Sequence, residues 1–325
     1  MKAATFAQYT GPEGISVTEV ADREPGSGEV RVRVAAASLN PFDWHMYRGD
    51  PWMVRGQAGL RVKEPRVVGA DFAGTIDAVG DGVTTFKVGD RVLGEVEAGA
   101  CGELLVAPAD NCASIEDSVS FEQAAAAPMA ACTALQALRD VVQLQAGDRV
   151  LVWGASGGVG HAAVQIALAL GASEVHGVCS AKNEAMVRGL GASRVFDYAT
   201  EDVAASGETY DVIIDNVSTE PVRGMKKLLG PGGRGAIVGG LGGGKLLGPG
   251  GPMIRRLLAA KFRRVDLRPM LAKTVAADLQ TVAAWLADGQ LAMTIECAFA
   301  LADIAEACRV LEDGHVAGKL VVRLD

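Results

Sequence analysis

Long hydrophobic runs are missing from this chain. No stretch reaches the ~20 uninterrupted apolar residues that a membrane-spanning helix requires, because the Ala-rich segments are broken by Gln, Arg or Asp. Basic charge is in deficit too: 31 Lys and Arg stand against 39 Asp and Glu, a net charge of −8. That balance argues against a nucleic-acid or anionic-membrane partner, since both need clustered cations. Cysteine pairing signals are absent. Cys101, Cys112, Cys132, Cys179, Cys297 and Cys308 are scattered and form no CxxC pair, which suits reduced thiols in a cytoplasm rather than a disulfide framework. The four histidines, His45, His161, His176 and His315, are too dispersed to suggest a tetrahedral metal site. Residues 2–9, KAATFAQY, lack the apolar core of a secretory leader and read as a first strand. A cytoplasmic location is therefore expected.

What is present fits a globular protein of 325 residues, long enough for two domains. The first 125 residues are rich in Val, Gly and short alternating runs, such as Val30-Arg31-Val32-Arg33-Val34. Gly and Asp punctuate them, the grammar of a small, strongly bent β domain. Residues 121–139 turn Ala-rich with helical spacing. From Arg149 onward, apolar runs at 149–153, 174–179, 194–198, 211–215 and 234–238 alternate with segments of helix length, which implies βαβ units and a parallel sheet. A further helix is expected over 276–288, stopped by Gly289. The tail then returns to short strands that rejoin the first domain. Gly239–Gly251 holds eight glycines and reads as a flexible loop.

The most informative segment is RVLVWGASGGVG at 149–160. An apolar strand runs straight into Gly154-Ala155-Ser156-Gly157-Gly158-Val159-Gly160, and an apolar helix follows. This is the dinucleotide fingerprint GxGxxG with Ala155 in place of its first glycine. Gly157 lets backbone approach a pyrophosphate, Gly160 lets helix and strand pack closely, and the helix N-terminus offers N–H groups and partial positive charge. The strand–turn–helix context makes the signal specific. In NAD enzymes a carboxylate about 20 residues on accepts the ribose hydroxyls. Here the second strand is followed by Ser180-Ala181-Lys182-Asn183, with no carboxylate at its end. Ser180 and Lys182 suit a 2′-phosphate, so NADPH is the expected coenzyme. Tyr198, after the third strand, is a further candidate phosphate contact.

With these residues in view, the chain resembles the zinc-independent NADPH:quinone oxidoreductases of the medium-chain dehydrogenase/reductase superfamily. The resemblance runs along Asn40-Pro41-Phe42-Asp43, GADFAGTIDAVG at 69–80, KVGDRVLG at 87–94, Pro128 with Thr133-Ala134-Leu135, the glycine turn, Tyr210–Asp215, and GHVAGKLVV at 314–322. Within that family it is similar to quinone and enone reductases of the reticulon-4-interacting mitochondrial protein type. The resemblance implies an α/β fold. A GroES-like β-rich catalytic domain would cover 1–124 and 268–325, and a Rossmann doubly wound parallel sheet would cover 125–267. The nicotinamide would lie in the cleft between them.

The resemblance also implies the chemistry. Zinc-using relatives carry a Cys, a Gly-His-Glu motif and a second Cys, where this chain has Asn40–Asp43, Gly69-Ala70-Asp71 and Met129. Without zinc, a quinone or an α,β-unsaturated ketone or aldehyde suits, because its conjugated oxygen takes the incoming charge with hydrogen-bond donors alone. Asn40 is the candidate donor to cofactor or substrate oxygen. Asp43 either shares that role or ties down its loop. His45 is either a proton donor or a rim residue. Trp44, Trp52 and Met53 would form an apolar wall. Thr133, Asn216, Gly239 and Gly240 would line the coenzyme, Gly242–Gly251 and Arg268 would close over the site, and His161 would be structural. A homodimer through the sheet edge near 234–238 is implied. Two alternatives stay open: a 2-enoyl thioester reductase, and a non-catalytic NADPH-binding sensor.

Overall fold

The computed structural model describes residues 1–240, 246, 248 and 250–324, without the side chains of residues 57 and 58. Most of the stretch Gly242–Gly251, expected to close over a site, lies outside the described residues. In chain order the first elements are β1 (Lys2–Phe6), β2 (Ser16–Glu19), β3 (Glu29–Leu39), α1 (Pro41–Arg48), α2 (Trp52–Ala58), β4 (Arg66–Val67), β5 (Asp71–Val79), β6 (Arg91–Glu95), β7 (Leu104–Pro108), β8 (Cys112–Ser114), α3 (Phe121–Ala126) and α4 (Pro128–Gln136). Next come β9 (Arg149–Trp153), α5 (Gly158–Ala169), β10 (Glu174–Cys179), α6 (Glu184–Gly189), β11 (Arg194–Asp197), β12 (Tyr210–Asp215), α7 (Val222–Leu228), β13 (Leu229–Ile237), α8 (Gly250–Arg263) and β14 (Asp266–Pro269). The chain finishes with α9 (Ala276–Ala287), β15 (Ile295–Ala300), α10 (Ile304–Glu312) and β16 (Lys319–Arg323).

Two units form, Met1–Cys132 with Thr274–Asp325, and Thr133–Lys273. These divides fall a few residues beyond the expected 124/125 and 267/268. The reason is local: α3 packs on β3 and β5 of the first unit, and β14 joins the sheet of the second. Pro128 and a π-helical turn at Ala137–Val141 break the helix expected over 121–139.

The first unit holds a sheet ordered β15-β16-β3-β5-β6-β8, with β7 also on β3, and a small sheet β2-β1-β4. Val30, Val32 and Val34 of β3 are buried while their neighbours are not, as period-2 alternation dictates. They pack with Phe72, Ile76, Leu105, Tyr47, Ile304 and Leu320 in one core, where each large apolar side chain contributes roughly 1.5–3 kcal/mol. Register shifts at Arg31/Val32 and Val34/Ala36 bend β3 against β5, as bulges do. The last strand, β16, pairs antiparallel with β3, which brings the tail back as expected.

The second unit is a six-stranded parallel sheet ordered β11-β10-β9-β12-β13-β14. The chain starts at β9 in the middle, runs outward to β11, returns to β12 beside β9, and runs outward the other way. The order therefore reverses between β9 and β12, the switch point where open α/β sheets bind ligands. Strand β13 is interior, so the sheet edge expected near 234–238 is instead β14, which adds a further strand outside it.

Candidate coenzyme site and buried polar cluster

At the switch point, β9 ends in Trp153 and Gly154 turns the chain at φ 75°. The N–H groups of Gly154 and Ala155 both donate to Val178 O, at 3.0 and 2.9 Å, which fastens the turn to β10. Helix α5 starts at Gly158, with Gly157 as its N-cap and no side chain capping it. Its first N–H groups are thus left for an anion, with the positive end of the helix dipole behind them. The two fingerprint glycines differ in what demands them. A Cβ on Gly160 would stand 2.0 Å from Gly154 O, so the fold itself requires glycine there. A Cβ on Gly157 would meet only Gly154 O, at 3.6 Å, an ordinary contact. Among the described residues only Gly154 O comes within 4 Å of that position, which fits a cradle for a phosphate.

On one side of this turn, Ser156 Oγ accepts a hydrogen bond from Asn183 Nδ2 at 3.1 Å. Asn183 closes the single turn Ala181–Asn183 that Ser180 begins. The structure thus brings Ser156 to the Ser180–Lys182 turn and adds Asn183. Lys182 is exposed and forms no ion pair among the described residues. Tyr198, just past β11, is exposed and donates its N–H to Cys179 O at 3.2 Å. On the other side, Asn216 follows β12. Its Nδ2 donates to Trp153 O at 2.9 Å, and its buried Oδ1 has no hydrogen-bond partner among the described residues. A buried orphan acceptor is costly unless a ligand satisfies it. Gly239 packs against Asn216, where a Cβ would stand 2.5 Å from Asn216 O. Gly240 follows it, partly exposed. Thr133 is buried on α4, and His161 is buried with Nδ1 2.9 Å from Gly157 O, a structural position.

The loop after β12 is held from behind. Asp215 is buried and accepts from Val217 N at 3.2 Å, Ser218 N at 2.8 Å and Arg256 Nη2 at 2.6 Å. Burial pushes its carboxyl up, against the pull of Arg256. Arg268 does not reach toward a site. It pairs with Asp266 at 2.6 Å and donates to Val141 O at 2.6 Å.

The first unit gathers a second group of polar residues. Asp71, at the start of β5, is fully buried. Its Oδ2 accepts from Asn40 Nδ2 at 2.9 Å, Ser38 Oγ at 3.3 Å and Lys319 Nζ at 3.3 Å, and its Oδ1 accepts from Met129 N at 3.1 Å. Lys319 Nζ also donates to Asn40 Oδ1. The amide of Asn40 therefore bridges a buried ion pair, and only its second amide hydrogen is left for a ligand. Asp43 is buried at the first turn of α1 and accepts from Asn40 N at 2.6 Å, an anchor that sets the loop. Asp71 and Lys319 were legible only as motif members. Their signal was a charge opening a strand, Asp71 at the head of β5 and Lys319 at the head of β16.

Burial pushes the Asp43 carboxyl up to about 7, and burial beside Asp71 pushes Glu95 to about 7 as well. The folded chain thus holds protons that the unfolded chain releases near the ordinary carboxylate range, about pH 4. This stability is complete below about pH 4 and is lost as pH rises through about 7. Asp43→Asn keeps an acceptor for Asn40 N and should flatten that loss, as read from urea midpoints across the interval. An unchanged slope would show that Asp43 titrates as an ordinary carboxylate.

His45 Nδ1 lies 2.6 Å from Asp50 O. A carbonyl only accepts, so Nδ1 carries the hydrogen and a neutral ring presents a bare Nε2. Burial depresses the pKa of His45, which disfavours the charged form that could donate from Nε2. Trp44 stacks on His45 at 3.7 Å and packs on the core, whereas Trp52 and Met53 on α2 are exposed. Among the described residues no group of three or more His, Cys, Asp or Glu is placed to hold a metal ion, and all six cysteines are free thiols. No helix among the described residues is long and apolar enough to cross a membrane.

Known proteins agree with this arrangement. Residues 26–137 match the alcohol dehydrogenase GroES-like domain, and residues 190–322 match a family described as zinc-binding dehydrogenase. The chain is 31% identical to a chloroplastic quinone-oxidoreductase homolog of Spinacia oleracea, covering 99% of this chain and 98% of that one. It is 36% identical to a quinone oxidoreductase of Pseudomonas aeruginosa over 67% of each. The solved quinone oxidoreductase of Coxiella burnetii superposes with a TM-score of 0.87 at 28% identity, covering 100% of this chain and 99% of that one. Fold, glycine turn and full-length similarity together place the chain in the quinone-oxidoreductase family of the medium-chain dehydrogenase/reductase superfamily.

Proposed function

We propose that this chain is an oxidoreductase that passes hydride from NADPH to a quinone or to an α,β-unsaturated ketone or aldehyde, without a catalytic zinc ion. The observation that carries the coenzyme reading is the uncapped α5 N-terminus behind the open face of Gly157, flanked by Ser156, Ser180, Lys182 and Asn183. Ala155, Gly158, Val159 and Gly160 complete the turn. Backbone N–H groups there suit the pyrophosphate, and Lys182 suits a 2′-phosphate as a point charge. Tyr198 stands near enough in sequence to β11 to join them. Asn216 Oδ1, Gly239, Gly240 and Thr133 are assigned to the remainder of the coenzyme, with the orphan acceptor of Asn216 taking a donor from it. Bound NADPH supplies the hydride.

The zinc-free reading rests on side-chain chemistry. Where zinc-using relatives carry a Cys, a Gly-His-Glu motif and a second Cys, this chain has Asn40–Asp43, Gly69-Ala70-Asp71 and Met129. Asp71 is already neutralised by Lys319 and saturated with donors. A site whose cation is a lysine leaves a carbonyl to be polarised by hydrogen bonds, which is enough for a conjugated acceptor. Asn40 keeps one amide hydrogen for that purpose. Asp43 positions Asn40 rather than acting on substrate, and His45, neutral at Nε2, accepts rather than donates. Water then protonates the product oxygen. The exposed Trp52 and Met53 offer a flat apolar surface to such an acceptor.

Relatives named as quinone oxidoreductases support this substrate class, and the free thiols favour a reducing compartment such as the cytoplasm. A homodimer formed by extending the sheet at the end nearest 234–238 would use β14, the edge strand beside β13. The decisive assay measures NADPH and NADH oxidation with 1,4-benzoquinone, 9,10-phenanthrenequinone and a 2-alkenal. Lys182→Ala should raise KM for NADPH by roughly tenfold or more, since a charge-assisted contact to phosphate is lost, and should leave NADH nearly unchanged. Equal losses with both coenzymes would remove Lys182 from the phosphate site.

A further inference from the structure

Helix α8 presents a surface that the proposed chemistry does not use. Ile254, Leu258 and Phe262 stand four residues apart, so they line one face of the helix. That face points to solvent: the three side chains are 52, 63 and 90% exposed. The opposite side is anchored. Ala260 is buried with Val222 and Val265, and Arg256 reaches inward to Asp215. Within the segment that carries the stripe the charge is of one sign. Residues 250–265 contain Arg255, Arg256, Lys261, Arg263 and Arg264 and no Asp or Glu. Apart from Arg256, these cations are exposed and take part in no ion pair among the described residues. On a helical projection Lys261 borders the stripe on one side and Arg255 on the other.

We infer that α8 is a docking face for an anionic lipid bilayer, on which Ile254, Leu258 and Phe262 enter the interfacial layer while Arg255 and Lys261, which border them, meet the lipid phosphates. An apolar stripe flanked by cations is the arrangement that lies in a membrane interface, and each basic residue at an anionic surface adds to the attraction. The net charge of −8 weighs against an anionic partner for the chain at large, but it does not describe this face. A second copy of the chain is the weaker occupant. Across a twofold axis the same patch meets itself, so unpaired cations would face unpaired cations with no carboxylate in the segment to receive them. The inference is independent of the coenzyme and substrate readings.

The test is co-sedimentation of the intact protein with vesicles of phosphatidylcholine alone and of phosphatidylcholine with phosphatidylserine in equal parts, at low and high salt. Binding to the phosphatidylserine vesicles, weakened by salt, is expected. Leu258→Ser with Phe262→Ser, and separately Arg255→Glu with Lys261→Glu, should each reduce partitioning by at least about tenfold. All four positions are exposed, so melting temperature and NADPH binding should stay as in the parent and show that the variants fold. Absence of vesicle binding, equal binding to phosphatidylcholine alone, or undiminished binding of the charge-reversed variant would each overturn the inference. So would a lipid-free dimer that the Leu258→Ser, Phe262→Ser variant converts to monomer, since the stripe would then belong to a second copy.

Discussion

Gly157→Ala is expected to lose NADPH affinity by roughly 30-fold or more while its melting temperature stays where it was. Among the described residues the added methyl would meet only Gly154 O, at 3.6 Å, so the fold accepts it. It would occupy the space in front of the uncapped α5 N-terminus, where each displaced hydrogen bond to a charged phosphate costs about 2 kcal/mol. Gly160→Ala should behave differently. Its Cβ would lie 2.0 Å from Gly154 O and 2.9 Å from Ala155 Cα, and both are backbone atoms that cannot rotate away. The turn must open, at a cost of about 1–3 kcal/mol for forced overpacking. Stability and coenzyme binding should fall together. Coenzyme fluorescence titration beside thermal melting separates the two. A Gly157→Ala protein that binds NADPH like its parent would mean that phosphate does not sit at this turn.

Lys319→Met should destabilise the protein by about 3–5 kcal/mol, because it strands the charge of Asp71 in a buried site. Asp71 is fully buried and Lys319 is 3% exposed. Asn40 loses the donor to its Oδ1 in the same change, so the loop before α1 should loosen and quinone turnover should fall beyond what lost stability explains. Adding Asp71→Leu to Lys319→Met removes the stranded carboxylate and should recover much of the stability, but not the turnover. Urea unfolding of the single and double variants gives the coupling. If Lys319→Met unfolds at the parent's midpoint, the Asp71–Lys319 pair is not what holds this cluster.

Much of the architecture was legible from period and punctuation. The five apolar runs from 149 to 238 all fall on strands, because a parallel sheet covered on both faces leaves no reason for polar residues within it. The glycine turn was equally plain, since Gly154 and Gly160 answer to backbone geometry that sequence states directly and Gly157 completes the fingerprint. The shape of the polar cluster was not readable. Asp71 and Lys319 are 248 residues apart in the chain, and Asn40 meets both. No local pattern encodes such a meeting. The role of His45 stayed open for a related reason: the titration range of imidazole says nothing of Asp50 O, which fixes its tautomer. The edge strand was missed because Asp266–Pro269 is only four residues long and half charged, too short to show a period.

The pairing of β16 with β3 has a consequence for synthesis. Leu320 to Arg323 close against Ala36 to Leu39, so the first unit lacks an interior strand until residues 319–323 have been synthesised. Asp71 spends that interval without its counter-charge. Thr133–Lys273 is continuous in the chain and can complete its own sheet earlier, as domains generally do during translation. Nascent chains halted near residue 300 should therefore resist protease across the second unit and be cut within the first.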